Sequence, residues 1–126
     1  MTLTQVMENL TNILKQVTNI PVKTAWISPN DNIPLITIIQ FGGGSEIMAL
    51  TNRQLRTYEF QLDIWAKSAK QRDQIAEQVM EVLLKNWREN YQNYGWWAVH
   101  VYRSLDIEEE GVFRKTMIVT IKEVVA

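Results

Sequence analysis

Residues 57–87 read T-Y-E-F-Q-L-D-I-W-A-K-S-A-K-Q-R-D-Q-I-A-E-Q-V-M-E-V-L-L-K-N-W. The first part alternates. Tyr58, Phe60, Leu62 and Ile64 fall on one side, and Thr57, Glu59, Gln61 and Asp63 on the other. That period of two predicts a half-buried strand with a polar second face. At Ser68 the pattern changes. Ser68 and Gln71 have the spacing of a capping box, in which each side chain serves a backbone donor at a helix start. Ile75, Val79, Leu83 and Trp87 then recur every fourth residue, which predicts a helix over about 69–90 with these four on its core stripe. A long strand turning into a long amphipathic helix is the unit around which the rest must pack.

On the N-terminal side, Leu3, Val6, Met7, Leu10, Ile13, Leu14 and Val17 form a stripe that predicts a helix over about 3–18. Asn19 suits its end and Pro21 prevents its continuation. Residues 22–27 and 35–41 read as strands. The turn formers at 28–32 between them suggest a hairpin. Gly42, Gly43 and Gly44 follow, then Glu46-Ile47-Met48-Ala49-Leu50. Glycine's backbone freedom makes 42–52 a loop excursion, and its apolar cluster either folds back or docks on a partner.

On the C-terminal side, 90–95 reads as a loop and 96–105 as a strand. Glu108, Glu109 and Glu110 fall in an acidic turn over 106–111, and 112–124 reads as a final strand closing a hairpin. The order α-β-β-β-α-β-β predicts an α+β two-layer fold: a mostly antiparallel sheet with two helices on one face, built as one unit over 1–126.

Composition narrows the function. The chain has 126 residues, 46% of them apolar, and a net charge of −1. That balance gives no general attraction to nucleic acid or anionic lipid. Cysteine is absent, which removes disulfides, thiolate catalysis and thiolate-bound zinc. The N-terminus lacks the basic and apolar segments of a secretory signal, and no apolar run reaches the ~20 residues of a membrane-spanning helix. His100 is the only histidine; with no His-x-x-x-His pattern and no serine elbow, it reads as a packing or hydrogen-bonding residue. The triple glycine lacks the lysine and spacing of a phosphate loop. The five tryptophans, at 26, 65, 87, 96 and 97, read as core and interface packing, since the basic residues near them are scattered. The mixed charges on the 69–90 helix read as a solvated face. No catalytic residue, cofactor or metal is expected.

Several segments taken together resemble the small tail-terminator, or tail-completion, proteins of long-tailed bacteriophages. They are P-L-I-T-I-I at 34–39, Y-E-F-Q-L-D-I-W-A-K-S at 58–68, Q-R-D-Q-I-A-E-Q-V at 71–79 and the closing hairpin. The likeness is one of pattern and order over about 2–124. Neck proteins that join head to tail have a similar size and pattern. The resemblance implies a structural virion protein, not an enzyme. It would sit at the head-proximal end of the tail and be assembled in the host cytoplasm. It would form a ring, usually a hexamer, that caps the tail tube, stops its growth and offers a surface to the head connector. Its partners would be itself, the tube protein and the connector. DNA would pass through the lumen without specific binding, and no membrane would be involved. The resemblance makes Gly42, Gly43, Gly44, Ile47, Met48, Leu50 and Arg53 a tube-docking loop, and Glu108, Glu109 and Glu110 a lumen or rim feature. A neck adaptor and a small cellular binding module are the alternatives.

Overall fold

The computed structural model describes residues 3–48 and 53–125. Helix α1 spans Leu3–Thr18 and is followed by a short strand β1, Val22–Lys23. Strands β2 (Leu35–Met48) and β3 (Arg53–Ala66) lead into α2 (Ala69–Met80). A π turn, Glu81–Lys85, joins α2 to α3 (Trp87–Tyr94). Strands β4 (Trp96–Glu109) and β5 (Val112–Val125) complete the chain. The sheet order is β1-β2-β3-β5-β4. All pairings are antiparallel except β1 with β2. The α+β architecture is therefore the one expected.

One face of the sheet carries the core. Tyr58, Phe60, Leu62 and Ile64 of β3 lie beside Ile36 and Ile38 of β2 and Met117, Val119 and Ile121 of β5. Val6, Leu10, Ile13 and Leu14 of α1 and Ile75, Ala76 and Val79 of α2 cover them from the same side. The alternation in β3 and the helical stripes are thus the two surfaces of one contact, held chiefly by the removal of apolar area from water. Ser68 caps α2 as its spacing predicts: the Gln71 amide donates to Ser68 Oγ at 3.1 Å, and the Gln71 side chain accepts from the Lys67 amide at 2.9 Å. Helix α1 ends at Asn19, whose φ of 56° is left-handed and whose amide donates to the Lys15 carbonyl.

The structure corrects several expectations. Residues 22–27 and 35–41 do not form a hairpin. Strand β1 is two residues long and pairs parallel to β2, Val22 with Ile36 and Lys23 with Thr37, so the connection between them crosses rather than turns back. Residues 90–94 are helical rather than a loop, and β4 continues through Glu109 where a turn was expected at 106. Trp87 is exposed rather than on the core stripe. The π turn is the cause. The Asn86 amide bonds to the Glu81 carbonyl, five residues back, so one extra residue fits into the turn and rotates the helix beyond it. Past Leu83 the stripe resumes at Asn90, which is buried.

Asn90 also serves the irregular turn. Its Nδ2 donates to the Val82 carbonyl at 2.9 Å in a buried bond. Asn90→Leu keeps the branched shape, with somewhat greater bulk, but removes this donor. It is expected to lower stability by about 1–2 kcal/mol, the cost of an under-satisfied buried carbonyl, readable in urea unfolding as a shifted midpoint at unchanged slope.

Candidate interaction surfaces at the two ends of the sheet

Strand β3 is bonded on both sides along nearly its whole length, to β2 from Arg53 to Trp65 and to β5 from Gln54 to Ala66. Its 14 residues separate two ends of the sheet by roughly 45 Å. One end is the β2–β3 hairpin arm. The other is the β4–β5 hairpin together with the connection over 24–34.

At the arm, the described part of the segment expected to be a loop excursion, 42–48, is strand. Gly42 pairs with Glu59, Gly43 with Tyr58, Gly44 with Thr57, Ile47 with Gln54 and Met48 with Arg53. Leu50 lies outside the described residues. Three glycines in a row read as a flexible loop because glycine is scarce in strands. Close approach explains one of them: a Cβ on Gly43 would lie 2.7 Å from the Thr57 carbonyl oxygen. The ladder shifts register between Gln40 and Gly42, a bulge of the kind glycine often accompanies. Glycine here is a strand residue at an irregular edge. A sequence window cannot distinguish that from a linker.

At the opposite end, the three glutamates separate. Glu110 has φ 49° and Gly111 φ 78°, so both central residues of the tight turn have positive φ, and Glu109 pairs with Val112 across it. Glu109 and Glu110 line an open cleft of about 460 Å³. Its other walls are the connection, with Ile27, Pro29 and Ile33, and the sheet residues Trp65, Ile107 and Arg114. Glu108 pairs with Phe113 and turns to the helix side, where its charge acts on Arg72. There Arg72 Nε meets Asp73 at 3.0 Å, and Lys115 Nζ meets Asp106 at 3.0 Å and Asp73 at 3.4 Å. The bond from Arg72 holds the Asp73 carboxyl below the ordinary carboxylate range. This network pins the start of α2 to the β4–β5 hairpin. An exposed pair of this kind contributes about 0–1 kcal/mol, so its effect is on position more than stability.

The cleft floor has a feature that the periodicity did not signal. Asp63, assigned to the polar face of β3, has no exposed surface. Arg114 Nε donates to its Oδ1 at 3.0 Å, the Thr116 hydroxyl donates to the same oxygen, and Gln61 Nε2 donates to Oδ2 at 2.9 Å. The Arg114 guanidinium packs against two indoles that touch each other, 4.9 Å from the ring centres of both Trp26 and Trp65. The rings meet edge to face at 5.3 Å, and Trp65 Nε1 donates to Thr37 Oγ1 at 3.0 Å. Trp26 reaches this place because Asp31 orders the connection: its carboxylate accepts from Lys23 Nζ at 2.7 Å and from the Ser28 amide at 2.8 Å. Those bonds, first the lysine and then the amide, lower the Asp31 pKa. The sequence alone does not link Trp26 with Trp65: they lie 39 positions apart, beyond the reach of periodicity.

His100 lies on the helix-free face, its ring 5.8 Å from that of Tyr102. Among the described residues, no group of three or more His, Asp or Glu is arranged to hold a metal ion, and no helix is long and apolar enough to cross a membrane.

No family model matches the chain, and no curated protein matches it significantly. Among solved structures, the chain is similar to one from the virion of a native gene transfer agent particle. The match has a TM-score of 0.55 and 10% identity, and it covers 90% of this chain and 84% of that one. What the two chains share is a fold, over nearly their full lengths.

Proposed function

We propose that the chain is a structural virion protein of the tail-terminator type. It forms a ring on the last layer of the tail tube, stops polymerisation and presents the surface to which the head connector joins. The observation that carries this reading is the fold shared with a chain of a gene transfer agent virion across 90% of this sequence. The two-ended sheet fits it. The β2–β3 arm, with Ile47, Met48, Leu50 and Arg53 in its sequence, faces the tube. The cleft and Glu109–Glu110 face away from it, toward the connector or the lumen rim, where acidic groups repel passing DNA. The mechanism is geometric: a closed ring leaves the tube end no further polymerising surface, and no reaction is assigned.

Electron microscopy of particles lacking this chain tests the reading. Overlong, headless tails are the expected result. Tails of normal length that fail to join heads would replace termination with a neck-adaptor role, and normal virions would sink both. The arm has its own test. Ile47→Asp with Met48→Asp is expected to leave the circular dichroism spectrum unchanged and to weaken co-sedimentation with purified tail tubes by at least tenfold, as loss of a buried apolar anchor does. Unchanged co-sedimentation would remove the arm from the contact.

A further inference from the structure

Both margins of the sheet are open among the described residues. Strand β4 is bonded only to β5, and β1 covers only Ile36 and Thr37 of β2. Open edges are normally guarded by lysine, proline, short length or inward charge. Residues 96–105 of β4, W-W-A-V-H-V-Y-R-S-L, contain one formal charge and no proline. Bulges lie at both ends of this run and leave Ala98 to Tyr102 in an unbroken ladder. Trp97 is 49% exposed, Tyr102 52% and Leu105 59%. Trp87 and Tyr91 of α3, the helix beside β4, add to the exposed apolar surface on this flank.

The opposite margin has the inverse shape. Gly42, Gly43 and Gly44 leave β2 without side chains at mid-strand, and the space at Gly44 is empty: a Cβ there would meet nothing within 4 Å. Gly42 and Gly44 pair with Glu59 and Thr57, on the face that also carries Tyr102, the partner of Ile118. Aromatic side chains on a neighbouring strand compensate for edge glycines in this way. Direction also agrees. Three antiparallel steps separate β2 from β4, so the two run in opposite senses. A second copy set beside the first in the same orientation would continue the sheet as an antiparallel ladder.

We propose that copies of this chain associate edge to edge, β4 of one staggered along β2 of the next so that Tyr102 and Leu105 cover the glycine stretch of the neighbour. The contact is heterologous, using two different surfaces, so it propagates around a ring instead of stopping at a dimer. Closure into a ring rests on the function proposed above; the edge contact does not.

The chain has no cysteine, so introduced thiols report cleanly. Gly44→Cys or Gly42→Cys is mixed with His100→Cys or Tyr102→Cys under mild oxidation, on tail tubes and free at high concentration. Disulfide-linked dimers are expected only in mixtures of a β2 variant with a β4 variant. Chains carrying one cysteine in each strand should give a ladder of linked oligomers. Homodimers of the β4 variants alone would show a two-fold contact and overturn the proposal, as would the absence of cross-links in all four mixtures. A second readout uses Tyr102→Glu with Leu105→Glu, both at exposed positions. Mass photometry should show assemblies of the unaltered chain reduced at least tenfold, with an unchanged circular dichroism spectrum. Assemblies that persist in this folded variant would remove the edge contact while leaving a ring built through other surfaces.

Discussion

Asp63→Ala is expected to lower the stability of the fold by about 2–4 kcal/mol, because it removes a fully buried carboxylate and leaves the Thr116 hydroxyl, the Gln61 amide and the partly exposed Arg114 guanidinium without their shared acceptor. Most of that cost lies in the stranded partners, not the lost attraction. The series that shows this is Asp63→Leu, Arg114→Met and the double variant carrying both, each followed by urea unfolding beside Asp63→Ala. The double variant should recover much of what either single change loses. If the single and double losses simply add, the pair is not coupled and the account is wrong. A local readout exists as well: the guanidinium packs against Trp26 and Trp65, so their emission should shift in Asp63→Ala below the unfolding transition.

Phe60→Ala is the second large effect, at about 3–5 kcal/mol. Phe60 is fully buried near the middle of β3, opposite Val119 of β5, and belongs to the cluster shared with α1 and α2. The surrounding ladders limit collapse into the space left behind, which places the cost in the upper part of the usual range. A domain typically has about 5–15 kcal/mol of stability, so the variant is expected to be marginal. Phe60→Leu, which keeps most of the volume, should cost about 1 kcal/mol and serves as the comparison. Equal unfolding midpoints for the two variants would show that the site repacks freely.

The parts of the fold that can be read from the sequence are those in which one residue's neighbours are set by local period. The strand over 57–64, the first helix stripe from Val6 to Leu14, the second as far as Leu83 and the cap at Ser68 all satisfy that condition, whereas Leu3 and Val17, at the two ends of the first stripe, are exposed. Periodicity fails where a single inserted residue changes the phase. The π turn hides inside a stretch of good helix formers, and it places Trp87 outside and Asn90 inside, against the hydropathy of both. Propensity fails where tertiary packing overrides it, at the glycines that extend β2 instead of releasing it. The surfaces divide in the same way. The acidic triplet is visible as a charged tip, but only the register of β4 with β5 shows that Glu108 joins the helix network while Glu109 and Glu110 line the cleft. The Asp63–Arg114 pair joins positions 51 apart, so no window in the sequence could connect them.

Strand β3 has a mechanical consequence. A pull between the arm and the cleft runs along the strands, so the ladders on both sides of β3 are loaded in shear and many hydrogen bonds must yield together. A pull across the sheet would peel the same bonds apart one after another. A subunit held at these two ends would resist strain along its length far better than strain across it.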